Sequence, residues 1–168
     1  GAIRWLIDLD ATTGKQRWSR SIGMNRDKPV NAKGSNASST PATDGERVYV
    51  LFSDKENYLA AAYNFAGDLV WRRNLGTYES QHCLGVSPIV VDDLLIVCND
   101  QDGPSSIYAL DAKTGATRWV TPRAFRGQST SYSTPIVVRE PNQPPQLICA
   151  SGATGISSLD LKTGAVNW

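Results

Sequence analysis

Gly and Trp stand four residues apart four times in this chain, at Gly14 and Trp18, Gly67 and Trp71, Gly115 and Trp119, and Gly164 and Trp168; successive tryptophans are 53, 48 and 49 residues apart. A period of about fifty residues marks a repeat architecture, in which each unit buries its apolar faces against the next. Around each pair the context also recurs. Ala109-Leu110-Asp111-Ala112-Lys113-Thr114-Gly115 is matched by Leu9-Asp10-Ala11-Thr12-Thr13-Gly14 and by Leu159-Asp160-Leu161-Lys162-Thr163-Gly164. Each copy reads as a β-hairpin: an apolar strand, a loop closed by the Asp side chain, Gly where positive φ is needed, and a return strand that carries Trp inward. In the second copy Asn64 stands three residues before Gly67, so the loop is one residue shorter and Asn64 takes the capping role.

A second element precedes the last three hairpins, as Ser39-Thr40-Pro41, Ser87-Pro88 and Ser133-Thr134-Pro135, with Pro at the start of a strand, where a missing donor costs least. A turn and a further apolar strand follow each time, so every unit holds four short strands. Four antiparallel strands per fifty residues predict an all-β chain built from β-propeller blades. The expected division is a leading hairpin over 1–23, blades over 38–76 and 86–121, and a blade over 132–168 that lacks most of its last strand. Three blades and a hairpin make a partial propeller, fewer than the four to eight blades of a closed ring, so further blades, a longer parent chain or other copies are expected to complete it.

Composition excludes other classes. Seventeen Lys plus Arg against sixteen Asp plus Glu leave a net charge of +1, which argues against a nucleic-acid partner. No window reaches the roughly 18 apolar residues of a membrane span. The three cysteines, Cys83, Cys98 and Cys149, form no CxxC pair, and their spacing selects no disulfide. Glycine-rich phosphate loops, HExxH and GxSxG are absent, and Asp92-Asp93 and Asp100-Gln101-Asp102-Gly103 read as turns, without the spacing of a calcium loop. No catalytic residue and no metal site is expected. His82, the single histidine, adjoins Cys83, but neighbours on an extended chain point to opposite sides, against a nucleophile–base pair. The candidate ligand-binding residues are His82, Arg123, Arg126 and Tyr132, on the connections that lead into the first strands of two blades; arginine there suits carboxylates or sulfates. A solvated loop is the competing reading.

The hairpins resemble the tryptophan-docking motif of pyrroloquinoline-quinone (PQQ)-type propellers, Ala-x-Asp-x-x-x-Gly-x-x-x-Trp, which Ala109, Asp111, Gly115 and Trp119 match at every position. The wider run, from Asp44-Gly45-Glu46-Arg47-Val48-Tyr49-Val50 through Leu69-Val70-Trp71 to Ser131-Tyr132-Ser133-Thr134-Pro135, is similar to the BamB-like family of secreted bacterial proteins. The resemblance implies a docking role for Asp10, Gly14, Trp18, Asn64, Gly67, Trp71, Asp111, Gly115, Trp119, Asp160, Gly164 and Trp168, stapling neighbouring blades. It further implies a noncatalytic, cofactor-free scaffold for protein partners in a periplasmic or secreted protein. Two alternatives stand beside it. One is a fragment of a PQQ- and calcium-dependent alcohol or sugar dehydrogenase; in those enzymes the quinone lies beneath a disulfide of adjacent cysteines, on a tryptophan plane, with calcium held by carboxylate and amide oxygens. The other is a propeller that binds sugars or other small polar ligands.

Overall fold

The structure is a computed structural model that describes residues 3–24, 37–54, 56–80, 82–124 and 130–168. Every regular element among them is a strand. Sheet I pairs β1 (Ile3–Leu9) with β2 (Gln16–Met24). Sheet II runs in order through β3 (Ala42–Thr43), β4 (Arg47–Asp54), β5 (Asn57–Asn64) and β6 (Leu69–Asn74). Sheet III repeats that order with β7 (Ile89–Val91), β8 (Leu94–Asn99), β9 (Ser105–Asp111) and β10 (Thr117–Arg123). Sheet IV holds β11 (Ile136–Val138), β12 (Gln146–Ser151) and β13 (Gly155–Asp160), and an isolated bridge from Leu159 to Val166 opens a further pairing. All pairings are antiparallel, so each sheet is an up-and-down meander.

Position within a sheet sets the composition of each strand. The short strands β3, β7 and β11 each begin immediately after a proline, Pro41, Pro88 and Pro135, which cannot extend the ladder with a donor of its own. In sheets II and III the second strand is covered on both faces, and all six residues of β8 are buried, which is why Leu94-Leu95-Ile96-Val97-Cys98 shows no alternation. In β5 the small Ala60, Ala61 and Ala62 are fully buried, letting neighbouring sheets approach from either side. On the fourth strands burial narrows to single side chains, Trp71 in β6 and Trp119 in β10. One apolar core spans sheets II, III and IV, and a smaller one, Ile22, Val50, Phe52, Ala61 and Tyr63, joins sheet I to sheet II. Among the described residues no helix is long and apolar enough to cross a membrane.

Candidate functional site

The hairpin loops are built alike. In three of them one carboxylate oxygen accepts two backbone amides: Asp10 from Thr12 and Thr13 (3.0 and 2.8 Å), Asp111 from Lys113 and Thr114 (3.0 and 2.8 Å), and Asp160 from Lys162 and Thr163 (3.0 and 2.8 Å). In the shorter loop Asn64 accepts from Ala66 and Asp68 at 3.0 and 2.8 Å. Arg17 and the Thr13 amide and hydroxyl hold Asp10 down to about 2, and Arg118 and Thr114 do the same for Asp111. Gly115, at φ +71°, closes its loop in the left-handed region.

The last three loops each receive the tryptophan of the preceding sheet. The indole N–H of Trp18 donates to the Phe65 carbonyl (2.9 Å), that of Trp71 to Ala112 (2.9 Å) and that of Trp119 to Leu161 (3.1 Å), always the residue after the capping Asn or Asp. The rings lie against the loop glycines so closely that a Cβ on Gly67, Gly115 or Gly164 would stand 3.0, 2.7 or 2.5 Å from ring carbons of Trp18, Trp71 or Trp119. Trp168 is 63% exposed, and a Cβ on Gly14 would meet nothing within 4 Å. A further position in this joint carries no signal in the repeat, because its residue type changes. Two residues beyond each tryptophan, Arg20 donates to the Gly67 carbonyl (3.1 Å), Arg73 reaches Thr117 Oγ1 (3.5 Å), and Thr121 donates to the Gly164 carbonyl (2.6 Å).

The candidate ligand residues fall into two groups. His82 and Tyr132 come together, ring centroids 6.4 Å apart and inclined at 44°, with the Tyr132 hydroxyl 3.3 Å from Ser80 Oγ. Tyr132 is 42% exposed and packs its ring on Gly85, where a Cβ would stand 2.9 Å away. Arg123 is held in the seam between sheets III and IV. Its Nε lies 2.9 Å from Asp100 Oδ1, the two side chains 8% and 4% exposed, and its other nitrogens donate to Ser157 Oγ (2.9 Å) and Thr154 Oγ1 (2.7 Å). Burial pushes the Asp100 carboxyl up, against the opposing pull of the Arg123 charge. Arg126 lies outside the described residues.

Between the two groups, the segment read as a plain turn organises the loops. Gln101, almost fully buried, accepts the Glu79 amide at 2.6 Å while its amide nitrogen faces the Thr77 carbonyl (3.0 Å), the Pro104 carbonyl (2.9 Å) and Asn99 Oδ1 (3.1 Å). The Asp100 carbonyl accepts the Ser131 amide (3.2 Å), and Asp102 Oδ1 accepts the Thr130 amide (3.2 Å) and hydroxyl (3.0 Å). Asp100, Gln101 and Asp102 thus fix the connections of two blades, one of which presents His82 and the other Tyr132. Among the described residues no group of three or more His, Cys, Asp or Glu is placed to hold a metal ion.

Three solved structures share this architecture. BamB from Moraxella catarrhalis matches with a TM-score of 0.64 at 17% identity, over 92% of this chain and 40% of that one. A europium-containing methanol dehydrogenase matches at 0.65 and 13% identity, over 98% and 37%. The quinohemoprotein alcohol dehydrogenase ADHIIG from Pseudomonas putida HK5 matches at 0.68 and 16% identity, over 100% and 31%. The chain thus spans between about a third and two-fifths of their length, and the likeness establishes the fold: an unclosed part of a β-propeller. No curated protein matches the sequence. Residues 4–168 match the family described as outer membrane protein assembly factor BamB, and the chain, with its PQQ-type propeller repeats, belongs to that family.

Proposed function

We propose that the chain is a noncatalytic propeller scaffold that binds other proteins, in an exported bacterial protein that is periplasmic or secreted. The observation that carries this reading is the state of the side chains at the blade connections. The charges of Arg123 and Asp100 are engaged inside the fold, whereas Tyr132 is presented at the surface beside His82, its ring set on Gly85. A tyrosine held in place offers a large amphipathic contact at little entropic cost and recurs at the energetic centres of protein interfaces. Membership of a family described by outer-membrane assembly supports the exported location and the binding of proteins.

A quinone and calcium site of the kind the dehydrogenases imply does not fit the described residues. Cys98 and Cys149 sit on different sheets, and Trp18, Trp71 and Trp119 are covered by the loop glycines of the next sheet. The carboxylates of Asp10, Asp111 and Asp160 are occupied by backbone amides.

The test is a photo-crosslinking residue placed at 132 in cells of the source organism, with one at the exposed loop position 113 as reference. The expected result is a defined protein adduct from 132 and none from 113. A native mass spectrum of the protein from its own source that carries a quinone and calcium would overturn the reading in favour of a dehydrogenase. A retained sugar with no protein adduct would replace it with the small-ligand reading.

A further inference from the structure

The geometry points to Cys98 and Cys149 as a thiol pair that closes into one disulfide across the seam between sheets III and IV. They lie 51 residues apart on β8 and β12, the second strands of adjacent sheets. Strand pairing puts Cys149 level with Val97, one residue from Cys98, and alternation along a strand turns the two side chains to opposite faces of their sheets. There the two sulfurs face each other across the interface at 3.6 Å, in van der Waals contact, and both side chains are buried. A bond requires the sulfurs to close by roughly 1.5 Å, within reach of small rotations about two χ1 angles in a seam otherwise held together. That seam is already pinned by Trp119 on Leu161, Thr121 on Gly164, and Arg123 on Ser157 and Thr154, so the partners cannot drift apart. Cys83 lies elsewhere, on the connection before β7.

The surroundings favour reaction at one sulfur. The hydrogen bond between the two sulfurs, with the Arg123 charge, holds Cys149 below the usual thiol range, while the same bond and burial push Cys98 up. With hydrogen peroxide as oxidant, the Cys149 thiolate attacks one oxygen and the O–O bond breaks; a sulfenic acid forms, and the leaving hydroxide becomes water with the proton that the Cys149 thiol gave up. The Cys98 sulfur then attacks the Cys149 sulfur; the S–S bond forms as the S–O bond breaks, and the hydroxide leaves as water with the Cys98 proton. Two thiols lose two hydrogens in all, and one peroxide becomes two waters. A peroxide is close to water in size, which suits it to a buried pair.

The test treats the full-length native chain with a small excess of hydrogen peroxide. Free thiols are expected to fall from three to one, and from two to none in Cys83→Ala. The oxidised Cys83→Ala chain should lose the mass of two hydrogens and yield a single cross-linked peptide joining the Cys98 and Cys149 segments. The chain should stay monomeric on a non-reducing gel, and its thermal midpoint should rise and return on reduction. Cys98→Ser and Cys149→Ser should each abolish the cross-link. Persistence of both thiols in folded Cys83→Ala, oxygen adducts without a cross-link, or a bond between two chains would overturn the assignment.

Discussion

At the residue scale, the loop glycines separate two effects that one substitution normally confounds. Gly14 and Gly115 share nearly the same backbone, φ +69° and +71°, but a Cβ on Gly14 meets nothing, whereas one on Gly115 would press on Trp71 at 2.7 Å. Gly14→Ala is therefore expected to cost only the left-handed penalty, about 1 kcal/mol. Gly115→Ala should add overpacking, for a total of about 3 kcal/mol. Urea midpoints measured side by side check this, and equal losses would show that the ring does not rest on the glycine. The glycines and tryptophans could be picked out from the sequence because geometry restricts their residue type. The position two beyond each tryptophan was hidden, since arginine and threonine meet the same carbonyl or hydroxyl by different means.

At the element scale, each hairpin is closed by an acceptor whose charge is optional, because Asn64 caps one loop as the aspartates cap the others. Asp10 and Asp111 are held at about 2, below the ordinary 3.8. A lowered carboxylate contributes stability in full above its unfolded pKa and loses it as pH falls through the folded one. Thermal midpoints should therefore stay level from neutral pH down to about 5 and decline between pH 4 and 2. Asp111→Asn should keep the hairpin at pH 7 and flatten part of that decline, while Asp111→Ala should lose about 1 kcal/mol at neutral pH with the cap. A decline unaltered in Asp111→Asn would place the acid sensitivity elsewhere. The strands themselves were foreseeable as apolar runs after proline, and their order follows from short connections that admit only neighbouring antiparallel pairs.

At the scale of the whole molecule, the sheets cohere through joints that repeat from seam to seam. Removing the ring in Trp71→Ala should cost roughly 3 to 5 kcal/mol. Because stacked units contact only their neighbours, hydrogen exchange should accelerate most in sheets II and III; uniform acceleration would contradict a seam-by-seam structure. The III–IV seam adds the buried Arg123–Asp100 pair. Arg123→Ala leaves a buried carboxylate and should destabilise by about 3 to 5 kcal/mol, and the double variant with Asp100→Asn should recover much of that loss in denaturant unfolding. The sequence by itself determined the repeat, the four-stranded unit, the loop caps and the large side chain each unit presents, because these depend on contacts a few residues apart and on a fixed period. Only the tertiary structure decided which sheet receives each tryptophan, that Gln101 ties two connections together, that Arg123 is spent on Asp100 while Tyr132 stands beside His82, and that Cys98 meets Cys149. Those contacts join residues about 20 to 50 positions apart, and they depend on how far one twisted sheet is rotated against the next, a quantity the period of a repeat does not contain.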